Sequence, residues 1–362
     1  MITLPGSEYF TLRTIGNGIY AAIARDGSPA YSNAGFVDTG DHVLIFDTFN
    51  TFRAALDLRH QIEIVARKPP DYVFISHSHS DHWMGNQAFA DQATILASRY
   101  TTNAMAEWSV YYKALKRNPQ KAITRIQETE MRLANAQDSR LQAHLSWSLM
   151  IERHEYRNLA ATELHLPNQS FDSKLEIYGI DAFVKIMTLG AGHTVSDTIM
   201  VLPEDRTAFI GDLGFFQTHP YLVGSNPEKW VAILDELAAS KLEKFVPGHG
   251  PVGSRADLRA LKSYILTLQG MVAAVANCGG SEDDAANQPI PDYAANWAGF
   301  GRYEQSMRYL YQWQTKKDMD ARPHADFSRS LLQEVEAAGY TFDGVEFSSP
   351  TLNPNYEPPD EK

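Results

Sequence analysis

Cysteine is nearly absent: the 362-residue chain holds one, Cys278. An intrachain disulfide is therefore excluded, and so is a thiolate metal cluster. Cys278 lies in Ala276-Asn277-Cys278-Gly279-Gly280, at an expected helix end and far in sequence from any histidine. It reads as a packing or surface residue, not a nucleophile. Long apolar runs are missing too. No stretch approaches the ~18 apolar residues that a membrane span needs, and Met1-Ile2-Thr3-Leu4-Pro5-Gly6 has neither the basic nor the apolar region of a signal peptide. Positive charge is in deficit, with 32 Lys+Arg against 44 Asp+Glu and a formal net charge of −12. That balance disfavours a nucleic-acid backbone or an anionic membrane as partner. It leaves an anionic substrate open, because a bound metal supplies local positive charge. The expectation is a cytoplasmic protein acting on a small-molecule substrate, with no nucleic acid and no membrane as partner and a homo-oligomer left open. Hydrophobic content of 44% and aromatic content of 11% are ample for the core of one α/β domain with additions.

What the chain does have is a concentration of histidine. Ile75-Ser76-His77-Ser78-His79-Ser80-Asp81-His82 places three histidines and an aspartate within six positions. Asp71–Ile75 before it reads as a short buried strand, so the motif falls where a strand runs out into a loop. His77 and His79 are two apart and point the same way from an extended segment. Asp81 and His82 follow at the turn and face a second point beside the first. Crowded imidazoles and a carboxylate are costly unless a cation pairs with them, and neutral imidazole is a common ligand for zinc and similar metals. One cation does not need four ligands from one short loop; two adjacent cations use them all. Isolated histidines carry no such weight. His42, His144 and His154 read as surface residues.

Along the chain, residues 8–49 look like consecutive strands, 50–67 like a helix stopped by Pro69-Pro70, and 93–97 like a further strand. Residues 101–117 and about 119–160 have helical character, the second as one long helix or a hairpin broken near Asp138-Ser139. Trp108, Trp147 and Met150 form a stripe there that reads as core rather than substrate contact. Strands return at Lys174–Tyr178 and Ala182–Leu189, and Thr198–Leu202 with Thr207–Gly211 form a hairpin. Trp230–Ser240 and Arg255–Ala276 are helical and enclose a short strand at Lys244–Pro247. Gly279–Gly301 reads as a linker, Arg302–Thr315 and Phe327–Ala338 as helices, and the proline-containing tail from Phe347 as loose.

Four strand ends thus carry polar residues suited to metal: His77, His79, Asp81 and His82; His193; Asp212; and His249. Seven ligands suit two four- or five-coordinate cations that share a carboxylate and a water. The pattern resembles the metallo-β-lactamase superfamily. His-Ser-His-Ser-Asp-His matches its H-x-H-x-D-H, Gly192-His193-Thr194 its third-histidine loop, Gly211-Asp212 its bridging-aspartate loop, and Pro247-Gly248-His249-Gly250 its last histidine. The resemblance spans residues ~8–277, with the gap from His82 to His193 lengthened by the helical segment. It implies a four-layered αβ/βα sandwich with the metals at one edge of two facing sheets. The catalytic domain would cover 1–277 with a helical insertion at 101–160, and a linker, C-terminal helices and tail would follow at 278–362. It also implies that His77, His79 and His193 bind one metal, Asp81, His82 and His249 the other, and that Asp212 bridges. Asp47 and Asp197 would support the ligands by hydrogen bonds. Past Asp212, His219 and Tyr221 are candidate substrate contacts. The bridging aspartate resembles that of glyoxalase II, lactonases and phosphodiesterases; no basic pair in the C-terminal segment marks a glutathione carboxylate, and Arg302 and Arg308 are the candidates there.

The function implied is hydrolysis of a small ester, lactone, thioester or amide. Two Zn²⁺ per chain, with iron or manganese as substitutes, would lower the pKa of a bridging water, and Asp81 would be the catalytic group that orients the hydroxide. A mononuclear iron oxygenase of the persulfide dioxygenase type, a β-lactam hydrolase, and a binding protein that has lost its chemistry are the alternatives. The complete ligand set favours the hydrolase over the oxygenase and over a chemically inert scaffold.

Overall fold

The computed structural model describes residues 6–315. Four strands, β1 (Phe10–Gly16), β2 (Ile19–Ala24), β3 (Ala34–Asp38) and β4 (Val43–Phe46), pair antiparallel in sequence order. Three more, β5 (Tyr72–Phe74), β6 (Thr94–Ser98) and β7 (Gln169–Phe171), add in parallel and complete a seven-stranded sheet. Parallel neighbours need crossovers. The first is helix α1 (Phe52–Ala66), capped by the Thr51 side chain on Ala54 N. The last is the helical insertion, α2 (Arg99–Arg117), α3 (Gln120–Asn135) and α4 (Ser139–Asn158).

The second sheet has five strands, β8 (Lys174–Tyr178), β9 (Phe183–Thr188), β10 (Thr198–Leu202), β11 (Thr207–Phe215) and β12 (Lys244–His249), in the order β12-β11-β10-β9-β8. Helix α5 (Pro227–Ala239) crosses between the parallel β11 and β12. Helices α6 (Arg255–Asn277), α7 (Glu282–Ala286) and α8 (Gly301–Thr315) follow.

Three apolar clusters fix the layers. Between the sheets, Val37, Leu44, Phe46 and Phe74 of the first meet Ile186, Met200, Phe209 and Val246 of the second. On the outer face of the first sheet, Phe36, Ile45 and Val73 pack against Ala55, Leu58 and Ile62 of α1. On the outer face of the second, Ile210 and Phe245 pack against Trp230 of α5, Leu261 and Ile265 of α6, and Met307 of α8. The result is the expected helix–sheet–sheet–helix sandwich. Among the described residues no helix is long and apolar enough to cross a membrane.

Several boundaries differ from the sequence expectation for identifiable reasons. β11 runs on to Phe215, so Asp212 lies inside a strand rather than after one; its pairing to β12 shifts register around Gly211, whose φ of 49° is left-handed. α5 begins at Pro227, not Trp230, because the Asn226 side chain accepts from Lys229 N and proline suits the first helical position. The long helical segment is a hairpin, broken between Asn135 and Ser139. The stretch read as a linker holds α7, started by a capping box at Ser281, and buries Ala285 and Ala294 against the outer cluster. His42 stands 3.8 Å from both Asp41 and Asp71, so it has acidic neighbours that its sequence context did not suggest. The helix expected at Phe327–Ala338 and the tail from Phe347 lie outside the described residues.

Phe209 tests the sheet-on-sheet packing. Its ring is 1% exposed, 5.9 Å from that of Phe46, and fills the space over Gly35. Phe209→Ala is expected to lower unfolding stability by about 3–5 kcal/mol in urea titration; a loss under about 1 kcal/mol would show that the two sheets do not depend on this contact.

Candidate metal centre

Seven donors reach one point from four places in the fold. His77 and His79 come from the loop after β5, and Asp81 and His82 from the 3-10 turn Ser80–His82 that continues it. His193 comes from the loop between β9 and β10, Asp212 from within β11, and His249 from the end of β12. Their ligating atoms form two groups, His77, His79, His193 and Asp212 in one, and Asp81, His82 and His249 in the other, each spanning no more than 4.8 Å. The Asp212 carboxylate faces both. Its Oδ2 is 3.7 Å from His77 Nε2 and 3.2 Å from His193 Nε2, while its Oδ1 is 3.0 Å from His82 Nε2 and 3.5 Å from His249 Nε2. Asp81 Oδ2 lies 3.3 Å from His249 Nε2 and 3.6 Å from His82 Nε2.

Whether this set suits cations can be tested on its hydrogen bonds. Asp47 Oδ2 accepts from His82 Nδ1 at 2.7 Å and from Ser76 Oγ at 2.8 Å. Ser76 Oγ, with its proton so engaged, accepts in turn from His77 Nδ1 at 2.8 Å. Both rings are thereby protonated on Nδ1 when neutral, and both Nε2 lone pairs face inward. His77 Nε2 and His82 Nε2 are buried without a hydrogen bond, as is Asp212 Oδ1. Buried polar atoms left in this state are costly. Cations at the two groups remove the cost, so the residues fit a pair of metals.

The electrostatics agree. Burial alone would raise the Asp81 and Asp212 carboxyls. The surrounding imidazoles outweigh it, led by His82 for Asp81 and by His249 for Asp212, and hold Asp81 at about 2 and Asp212 well below the usual carboxylate range. His77 is depressed by burial and by His82, whereas His82 is raised despite burial by Asp212, Asp81 and Asp47.

A family profile described as the metallo-beta-lactamase superfamily matches residues 27–249. The chain belongs to the metallo-beta-lactamase superfamily. Its structure is similar to a metallo-beta-lactamase from Pontibacter korlensis, at 16% identity and a TM-score of 0.50, over 71% of this chain and 99% of that one. It is likewise similar to VMB-1, at 17% identity and a TM-score of 0.50, over 72% and 99%. At such identity the likeness speaks for the fold alone. A search of the curated proteins finds no match.

Around the superfamily's metal-binding groups, supporting residues hold the loops. Asp197 accepts from Gly192 N at 2.9 Å and from Thr194 Oγ1 at 2.7 Å, closing the His193 loop on itself, so it is more than a turn carboxylate. Gly248 leaves room for the bridge: a Cβ there would stand 1.9 Å from Asp212 Oδ1. A cavity of about 520 Å³ opens over the donors. Tyr221 lines it. His219 does not. It is 1% exposed, bonded through Nδ1 to Tyr264 Oη at 2.6 Å and packed beside Trp297 and Tyr303. The aromatic residues of α6 and α8 draw that ring into the core.

The walls hold residues that no local sequence signal places there. Trp108 and Trp147, read as core, line the cavity together with His144, read as surface, and with Tyr31 and Arg302. Trp147 stacks on Tyr31 at 4.8 Å, and Tyr31 has a φ of 69°, an uncommon conformation for a bulky residue that often marks functional sites. No local motif announces any of these; they meet only because the insertion folds back over the sheet edge.

Asp47→Ala removes the acceptor that orients His82 and, through Ser76, His77. Metal affinity is expected to fall 10–100-fold, measured by competition with a chelating indicator. Gly248→Ala is expected to weaken binding by a similar order by displacing Asp212. Unchanged affinity in both variants would show that these contacts do not organise the site.

Proposed function

We propose that the protein is a hydrolase that works with two metal ions, zinc foremost, on a small ester, lactone, thioester or amide. The observation that carries this reading is the placement of Asp212, whose two oxygens each face a separate set of imidazoles. When bound, the pair of cations would lower the pKa of a water to around 7 and polarise the bond to be broken. The chain's own groups would do the rest. Asp81, ionised throughout the neutral range, accepts a hydrogen bond from the attacking water and so aligns it. His77, His79 and His193 would hold one ion, and His82, His249 and Asp81 the other, with Asp212 facing both groups. Tyr221, which lines the cavity, would donate from its phenol to the developing oxyanion. No side-chain nucleophile is needed.

A single-iron oxygenase would need only one of the two groups, and both are complete. β-Lactams belong among the candidate substrates on the fold; nothing in the cavity singles them out.

Elemental analysis of protein purified without added metal is expected to give about two zinc per chain; about one iron, with oxygen uptake on turnover, would replace the hydrolase by the oxygenase. In the zinc protein, Asp81→Asn should lower kcat at least ~100-fold on whichever ester, lactone, thioester, β-lactam or phosphodiester is turned over, with circular dichroism unchanged. Wild-type rates would remove Asp81 from the chemistry.

A further inference from the structure

Arg302 lies in the first turn of α8, beyond the residues that the superfamily profile matches, yet it stands on the cavity wall beside the metal-binding residues. Its guanidinium carbon sits 5.2 Å from the Tyr31 ring centre and 5.4 Å from that of Phe215, so the group is held between two aromatic rings. Among the described residues no carboxylate is within ion-pair distance of it. The other arginine on the wall, Arg125, is engaged by Glu152 at 3.4 Å and Glu155 at 3.1 Å. The cavity therefore offers one cation that no carboxylate of the described residues pairs. Burial lowers its proton affinity; Tyr31, whose hydroxyl accepts a hydrogen bond from it, and then Asp212 and Asp81 raise it, and those two carboxylates belong to the metal-binding groups.

A second observation concerns His249. A metal-binding imidazole normally donates its remaining N–H to a carboxylate, a carbonyl or a water. His77 and His82 follow that rule through Ser76 and Asp47. His249 Nδ1 instead has Arg302 Nη2 at 3.4 Å, and a guanidinium can only donate. Once Nε2 is taken up by a cation, the neutral ring carries its proton on Nδ1, and two donors face each other. One anionic oxygen accepting from both removes the conflict.

Resting on the hydrolase reading above, we propose that Arg302 and His249 Nδ1 form a carboxylate-binding subsite, and that the substrate is a monoanion with its carboxylate held there. A planar carboxylate matches the guanidinium fork. One unpaired cation balances one charge, which favours a carboxylate over a phosphate dianion. The body of the substrate is apolar or aromatic, since Trp108, Val110, Tyr111, Trp147 and Val223 line the cavity. Glu107, also on α2, keeps a second negative charge away from that wall.

The test compares monophenyl adipate with its neutral methyl ester, which share one scissile bond, on the zinc-loaded protein. Wild type is expected to favour the acid at least tenfold in kcat/KM. Arg302→Gln should cut that ratio at least tenfold, mainly through KM, and Arg302→Lys should retain part of it. A wild-type ratio near one, or a ratio unchanged in Arg302→Gln, overturns the subsite. If neither ester is hydrolysed, the hydrolase reading fails on these substrates while binding still decides the subsite. 4-Phenylbutyrate should bind the zinc-loaded wild type at least tenfold more tightly than 4-phenylbutanol by calorimetry, with the preference lost in Arg302→Gln. A preference that persists there means that the carboxylate binds the metals directly, which also overturns the proposal. The wild-type comparison needs no variant and stands even if Arg302→Gln does not fold.

Discussion

The structure turns on one buried carboxylate. Asp212 lies inside β11, 4% exposed, with four imidazole nitrogens between 3.0 and 3.7 Å from its two oxygens. An anion at that depth is tolerable only with compensating charge, and four imidazoles cannot all be protonated around one carboxylate without repelling each other. Cations settle both sides of the problem at once. The demand reaches back into the backbone: β11 departs from regular pairing at Gly211, and position 248 on the neighbouring strand has no room for a side chain.

The sandwich supplies what that carboxylate needs. Donors from one short loop could not surround it; they arrive from both sheets. Cross-sheet hydrogen bonds hold the two edges in register at this point. Asn33, just before β3, donates through Nδ2 to Pro247 O at 2.9 Å and Gly250 O at 2.8 Å, on either side of His249. Thr198 N, at the start of β10, donates to Ser76 O at 2.8 Å, beside His77. The Phe46–Phe209 contact lies deeper in the same inter-sheet core, so apolar packing sets the spacing of the sheets and these few polar contacts align their ends.

How much of this was legible in the sequence depended on whether the signal was local. The His77–His82 cluster, the apolar strands before it and the glycine-flanked His193, Asp212 and His249 are each readable within a few residues, and they led to the fold and to the donors that the structure assembles. Asp47 and Asp197 were legible as supports for the same reason: each follows an apolar strand or a ligand loop directly. His219 misled because a histidine in a polar-looking loop after a ligand carries no sign of Tyr264, 45 positions on, which takes its ring into the core. The places of Arg302, Trp147 and Tyr31 on the cavity wall were beyond reach for the converse reason. They lie in α8, α4 and the loop before β3, and only the three-dimensional path of the insertion stacks them beside His249.

That division runs between the floor of the cavity and its walls. The floor of the cavity is made by residues within the superfamily match, and its geometry is dictated by what cations require. The walls include α2, α3 and α4, inserted between β6 and β7 inside the matched span, α8, which follows it, and Tyr31, Tyr221 and Val223 from loops. Here the constraints differ: a wall need only fold, close over the floor and present groups of the right polarity. His144 illustrates how the two pieces meet, since its ring occupies the space that a side chain on Gly301 would fill, so α4 and the start of α8 are in direct contact beside Arg302. The insertion and α8 therefore line the cavity without supplying any of the seven donors, so these segments can change while the donor set stays in place.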